Sequence, residues 1–498
     1  VEEKKLVIIG GGVAGLSAGI FGRLNGFQTI ILEKNPTPGG QCTGWERKGY
    51  YIDGCIHWLT GTLEGTPMNE LWKRLGALDG TEIYHPDSFL VFEHPEGTVV
   101  YHRDLYRLRQ SLLDLAPADS EAVTALCSDL QKLQSLEMPI DKPMDLKSLP
   151  EKIRYFLSMK DAGPILQKYL KTPIGDFARQ FSHPALRAAF GSTLPEHYSA
   201  LAIIFALAFF TKGQASIPLG GSRAFALRMA ERYRSLGGAL YSSCEVTALD
   251  FEDSRVRAVM CSDGRRFEAD YVVAACDARV LYERLLGGRY PDKAYEKRFA
   301  DPHRYPLASE IMVSLAYAGT TEKLPHTLSF PAADPLHIHG RKIDRLQVTC
   351  HSHEAGWAPE GHSVITCDIN QFGEEWEAWE RLYRNRPAYR AEKSRIGRGV
   401  MENLEQRFPE MKGKLEVLDV VSPKTYERWC NAHRGAFMPF MMTPEGKMLE
   451  HPGTIRGLSN LFLSGQWLQP PGGLPVAAVT GKDTIMRICR REKQEFTW

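Results

Sequence analysis

Residues 6–33 read LVIIGGGVAGLSAGIFGRLNGFQTIILE, and this stretch decides the fold. Leu6–Ile9 is a short apolar run suited to a strand buried on both faces of a parallel sheet. Gly10-Gly11-Gly12-Val13-Ala14-Gly15 then fits G-x-G-x-x-G. Leu16, Ile20 and Leu24 recur at helical spacing, Gly26 ends the helix, and Thr29–Leu32 is a second buried strand closed by Glu33. The glycine pattern alone is a weak signal. With a strand before it, a helix after it and an acid closing the next strand, it becomes a dinucleotide fingerprint. Gly10 permits the tight turn, Gly12 lets the backbone approach a pyrophosphate, and Gly15 lets the helix lie close to the sheet. The helix N-terminus offers unpaired N–H groups to phosphates. Glu33 can accept hydrogen bonds from a ribose diol, which favours FAD or NAD over NADP. The competing reading is a glycine-rich turn in a nucleotide-free α/β domain.

Working outward, Gly39-Gly40-Gln41 and Tyr51-Ile52-Asp53-Gly54 follow, and no second G-x-G-x-x-G occurs to seat a nicotinamide dinucleotide. FAD is therefore preferred. The chain ends on a strand (Leu461–Leu463), a glycine loop (Gly472-Gly473) and a helix through Arg491, which can turn its N-terminal dipole toward the same cofactor. Between these ends, residues 103–190 are charged, Leu-rich and broken by prolines, which predicts helices. Gly220-Gly221 opens another helix, to about Arg234. Strands are expected near 240–249, 255–260 and 267–274, within 305–372 at Glu310–Ala316 and Ser363–Ile369, and one long helix over Glu374–Phe408. The predicted class is α/β, a Rossmann-like FAD-binding domain carrying a discontinuous α+β substrate domain and a helical cap. The FAD-binding domain is assigned to 1–85, 219–305 and 450–498, the cap to 86–218, and the mixed substrate domain to 306–449.

Composition narrows the function classes. In 498 residues, 61 basic and 60 acidic side chains leave a net charge of +1, which argues against binding nucleic acid through phosphates. The longest apolar run, Leu201–Phe210, is about half the ~20 residues of a membrane-spanning helix. It is too internal for a signal peptide, and none is expected within the N-terminal strand, while the start at Val1 leaves open a short processed or truncated leader. Ten scattered cysteines without a CxxC suit neither a zinc site nor a disulfide scaffold, so a reduced, cytoplasmic setting is expected.

The chain resembles the phytoene desaturase, carotenoid isomerase and retinol saturase group within the amine-oxidase-like flavoproteins. The resemblance rests on VIIGGGVAGLSAG (7–19), LEKNPTPGGQCTGW (32–45), YYIDGCIHWL (50–59) and PLGGSRAFALRMAERYRSLGGAL (218–240). EVTALD (245–250), ADYVVAACDA (269–278) and LSNLFLSGQWLQPPGGLPVAAVTG (458–481) extend it over almost the whole chain. It implies non-covalent FAD contacted by Gly10, Gly12, Val13, Ala14, Gly15, Glu33, Lys34, Gly40, Gln41, Cys42, Gly54, Ile56 and His57. From the later segments it adds Val246, through backbone contacts to adenine, and Gly465, Gln466, Gly472, Gly473, Leu474, Pro475 and Ala477. Two departures stand out: Gly40-Gln41 where the group usually has Gly-Gly-Arg, and Gly465-Gln466 where it commonly has Gly-Asp or Gly-Ala. Gln41 can donate a hydrogen bond to a phosphate but cannot neutralise it. The implied reaction is desaturation, saturation or isomerisation of a carbon–carbon double bond in a hydrophobic substrate, with NAD(P)H as a candidate external donor. The rivals are oxidation of C–N bonds and a flavin-bound regulatory protein without turnover.

A flavin carries the redox step, and the protein positions the substrate and moves the partner proton. His57 is the first candidate for that proton, as its pKa class suits a shuttle; the alternative is a wall histidine that moves none. Glu196 and His197 are second candidates, with a surface helix cap explaining Glu196 equally well. Gln466 is expected to contact flavin or substrate. His337/His339 and His351/His353 form two H-x-H pairs, but no carboxylate cluster accompanies them and no metal is assigned. Cys42 and Cys55 flank the flavin wall, where structural thiols are commoner than a covalent link. Leu201–Phe210 is read as a core helix walling an apolar cavity, or as part of a bilayer-contacting patch with Tyr155, Phe156, Leu157 and the basic 152–171 stretch.

Overall fold

The computed structural model describes residues 3–373 and 375–498. Its first layer is a five-stranded, wholly parallel sheet in the order 239–241, 28–32, 5–9, 271–274, 461–463. Leu6, Val7 and Ile8 are fully buried, as a strand covered on both faces requires. Helix Val13–Leu24 follows the first strand, and helix Leu474–Arg491 packs along it. A Cβ on Gly481 would lie 2.4 Å from the Ala14 carbonyl oxygen, so only glycine permits that approach. A sheet of 246–252, 255–261 and 266–268 flanks this layer. The single strand expected over 267–274 is two strands in different sheets. The chain changes partner there, with Ala269 N–H bonded to Arg257 O and Asp270 N–H to Lys5 O.

The second layer is a seven-stranded sheet ordered 415–421, 308–317, 363–372, 341–350, 327–338, 88–94, 97–102, antiparallel except where 327–338 meets 88–94. Residues 88–102, read above as the start of the helical segment 86–218, are therefore the last two strands at one end of this sheet, with 97–102 at its edge, and the helices begin at Leu105. The helix expected over Glu374–Phe408 is two, Glu375–Arg384 and Arg386–Arg407; its expected first residue, Glu374, lies outside the described residues. Asn385 caps the second helix by accepting from Ala388 N–H, and Pro387 sits in its first turn, where a missing N–H costs nothing.

The helical region packs around its own core, with Phe177, Phe181 and Phe190 in mutual ring contact. Helix Leu201–Thr211 is part of that core rather than of the surface. Among the described residues, no helix is long and apolar enough to cross a membrane. All ten cysteines are free thiols.

Candidate active site

One cavity of about 1610 Å³ runs from the first glycine turn, past the 53–58 loop, to the helical region. Every residue assigned above to the cofactor lines it except Gly15. Gly15 works one step back, since a Cβ there would sit 1.9 Å from Gly10 O, so its bareness lets the helix reach the strand. Gly10 has φ +103°, and a Cβ on it would meet Ala275 O at 2.6 Å. Glu33 is buried, accepting from Gly11 N–H at 2.7 Å and from Asn35 N–H at 2.8 Å. Burial raises its pKa, while these two N–H groups pull it back down.

At the far end of the chain, Gly473 caps helix Leu474–Arg491 with φ +93° and no side-chain cap. Gln466 Oε1 accepts from Gly473 N–H at 3.1 Å, and Gly465 N–H donates to Thr480 Oγ1 at 3.0 Å. Gln466 thus shapes the glycine loop as well as facing the cavity. Two uncapped helix N-termini, at Val13 and Leu474, open on the same space. Ser464 Oγ, buried on the cavity wall, has no partner. The bare backbone cradle, the Glu33 carboxylate and the orphaned Ser464 hydroxyl fit the pyrophosphate, ribose and polar edges of FAD.

Two polar residues expected at the cofactor also hydrogen-bond within the protein. Lys34 Nζ donates to Arg428 O and Asn431 Oδ1, and Gln41 Nε2 to Ala436 O at 2.8 Å. Both still line the cavity, and each keeps hydrogen-bonding capacity beyond these bonds. Cys42 is buried with its thiol donating to Ser222 O, and burial pushes its pKa well up.

The loop carrying His57 is organised by Asp53. This buried carboxylate accepts from the backbone N–H groups of Cys55 and Ile56, and from both the N–H and hydroxyl of Ser222. The loop turns His57 into the cavity, with Nδ1 3.6 Å from Asp368 Oδ2. The 46% exposure of its side chain is exposure to the cavity. One ligand atom each of His57, Asp368 and Glu310 lie within 4.8 Å of one another, and the Tyr426 hydroxyl donates to Glu310. Burial and Glu310 raise the Asp368 carboxyl to about 7 against the pull of His57, and Asp368 Oδ1 has no partner. For His57 the balance reverses: burial opposes its charge, but Asp368, Glu310 and Asp53 together raise its pKa.

Glu196 and His197 are not at this site. Leu194 and Pro195 face the cavity, whereas the Glu196 side chain is 79% exposed, 4.0 Å from Arg179. Backbone bonds from Gly175 N–H to Glu196 O and from Ile174 N–H to Tyr198 O hold this turn with Glu196 outward. His197 stacks on His303. The two H-x-H pairs do not meet either. His339 sits on Trp379 at one end of strand 341–350 and His351 follows its other end, about 30 Å away at 3.3 Å per residue.

Asp53, Glu310, Asp368 and Tyr426 escaped the sequence reading. Asp53 lay inside a quoted motif, and the other three are separated from His57 by more than 250 residues, so only strand pairing, and for Tyr426 the packing of helix Pro423–Cys430, brings them near it. The register sets Met312 opposite Asp368 and Glu310 opposite Asn370, which places both carboxylates on one face.

This fold and cradle define a dinucleotide-binding flavoprotein built on the chain's two ends. The chain belongs to the flavin-containing amine oxidoreductase family, whose profile matches residues 13–488. It is similar to a prolycopene isomerase of an Oncidium hybrid cultivar, 23% identical over 505 residues, covering 96% of this chain and 83% of that protein. It is also similar to a lycopene-forming phytoene desaturase of Pseudescherichia vulneris, 24% identical over 517 residues, covering 97% and 98%. Among solved structures, a wild-type putrescine oxidase bound to putrescine superposes with a TM-score of 0.60 at 16% identity, covering 98% of this chain and all of that one. That likeness speaks to the fold alone.

Proposed function

We propose that the protein is an FAD-dependent oxidoreductase acting on a carbon–carbon double bond of a hydrophobic, polyene-like substrate, with His57 holding the proton. The observation that carries this is the continuity of the cavity. It runs unbroken from the glycine cradle to an arm walled by Leu166, Leu170, Leu201, Phe205 and Phe210, where a long apolar molecule can lie. The names of the relatives, a prolycopene isomerase and a phytoene desaturase, point to the same chemistry.

FAD would be held non-covalently by the backbone of Gly10–Ala14, by Glu33 at the ribose, by Val246 beside the adenine, and by Gly465–Ala477 around the ring and pyrophosphate. When bound, it supplies the two-electron redox capacity of the reaction. The chain's own part is then threefold. Helix Leu201–Thr211 excludes water and aligns the apolar substrate; the Asp53 hub fixes the 54–57 backbone; and His57 accepts or donates the proton, its charge supported by Asp368. NAD(P)H is the external donor to test first, since one fingerprint serves one resident dinucleotide.

The domain limits proposed are those of the sequence reading, with 88–102 moved to the substrate sheet. Membrane contact from the cytoplasmic side is proposed at helix Leu149–Ser158. Leu149, Ile153, Phe156 and Leu157 are exposed at i, i+4, i+7 and i+8, and Tyr155 on the same helix lines the cavity. A membrane-dissolved substrate could enter there. Leu201–Phe210, buried, has no part in that patch.

The test uses the FAD-loaded protein with and without NAD(P)H, given a panel of polyenes and a panel of amines. Polyene products altered in mass by two hydrogens, or with shifted double bonds at constant mass, support the proposal. Hydrogen peroxide released with amines, and unaltered polyenes, would sink it.

A further inference from the structure

The seven-stranded sheet that roofs the cavity has two chemically different faces. Alternation sends Ile311, Val313, Leu328, Phe330, Leu346, Val348 and Cys367 away from the cavity, into an apolar core with Ile396, Val400 and Leu404 of helix Arg386–Arg407. The register then places the intervening residues on the cavity side. Thr327 pairs with Thr349, Ser329 with Gln347 and Glu310 with Asn370, and all six, together with Asp368, line the cavity. The wall provided by helix Leu201–Thr211 offers only Leu201, Ala202, Phe205, Ala206 and Phe210. The cavity therefore has a first wall, the helix, of hydrocarbon alone, and a second, the sheet, where these hydrogen-bonding groups stand beside Phe89, Phe92, Ile343, Ile369 and Phe372.

A hydrocarbon polyene leaves the second wall without partners. Among the described residues, the Gln347 and Asn370 carboxamides make no side-chain hydrogen bond, and Asp368 Oδ1 is buried and unpaired. A substrate entering against them displaces their water, and a group that cannot replace those bonds loses affinity. We infer that the substrate is an oxygenated, amphipathic polyene, whose hydroxyl or carbonyl groups bond to Gln347, Thr349 and Asn370 while its apolar edge lies on helix Leu201–Thr211. The inference rests on the polyene reading above and narrows it to exclude pure hydrocarbons.

The test compares β-carotene, its dihydroxy derivative zeaxanthin and its diketo derivative canthaxanthin, in the same detergent, by quenching of the FAD-loaded protein's tryptophan fluorescence. The oxygenated pair should bind about tenfold or more tightly than β-carotene. Gln347→Leu combined with Thr349→Val should bring the three within about twofold, mainly by weakening the oxygenated pair. Asn370→Leu, on the neighbouring strand, should reduce the preference independently, with melting temperature and FAD content confirming that each variant folds. Equal or tighter binding of β-carotene to the wild type, or a preference that survives both variants, overturns the inference while leaving the polyene reading intact. If none of the three binds and amines are oxidised instead, the polyene reading itself fails, and this one with it.

Discussion

Replacing Asp368 by Asn removes the charge nearest His57 without changing the shape of the site, and its consequence can be worked from the structure. The two groups are 3.6 Å apart. At that distance opposite unit charges attract by about 1.2 kcal/mol in a water-like dielectric and by about 4.6 kcal/mol at an effective dielectric of 20. His57 is half exposed to the cavity, so the screened value is the appropriate one. Asp368 raises the His57 pKa and burial lowers it. The Asn variant should therefore titrate at His57 below the wild type. Histidine-labelled protein followed by NMR, with His57→Ala assigning the resonance, reads this directly. An unchanged or higher His57 pKa would refute the coupling, and with it the place of Asp368 in proton handling. Stability gives a second readout. The folded-state pKa of Asp368 is raised to about 7, so its contribution is complete below pH 4 and is lost as pH rises toward 7, where the buried group must ionise. The melting-temperature difference, Asn variant minus wild type, should thus be more positive at pH 8 than at pH 5.

Three further outcomes are expected. Gly10→Ala forces a Cβ into a φ of +103° and to within 2.6 Å of Ala275 O; it should cost about 1–3 kcal/mol in strain and yield protein depleted of FAD, measured by absorbance after gel filtration. Glu196→Ala should leave kcat and KM unchanged and shift stability by less than about 0.5 kcal/mol, because its side chain faces solvent; a loss of turnover would restore it to the site. Phe156→Glu with Leu157→Glu should abolish co-sedimentation with liposomes while the melting temperature holds, and wild-type protein that ignores liposomes would remove the membrane proposal.

The nucleotide half of the fold was legible because its signal is local. Leu6–Glu33 carries strand, turn, helix and strand within one contiguous stretch, and Leu461–Arg491 repeats the logic at the other end. The substrate half was not, because its chemistry depends on register. Glu310 and Asp368 read as isolated acids in apolar strands until pairing with Met312 and Asn370 as neighbours puts them on one face with His57. Glu196 misled for the opposite reason. Its neighbours Leu194 and Pro195 do line the cavity, and the turn that points Glu196 outward is fixed by backbone bonds from 174 and 175, which no local pattern announces. Strand 88–102 was missed because the polar turn at 95–96 and the charged helix that follows blur its alternation.

The central claim is that one cavity joins an FAD cradle to carbon–carbon double-bond chemistry on a hydrophobic chain. It is tested most directly by an anaerobic single turnover of the FAD-loaded protein with a polyene, following flavin absorbance and product mass together. The expected result is a change of two hydrogens in the polyene matched one-to-one by the flavin's redox change, or double bonds rearranged at constant mass with the flavin unchanged overall. Flavin bleached by an amine, with every polyene recovered intact, would contradict it.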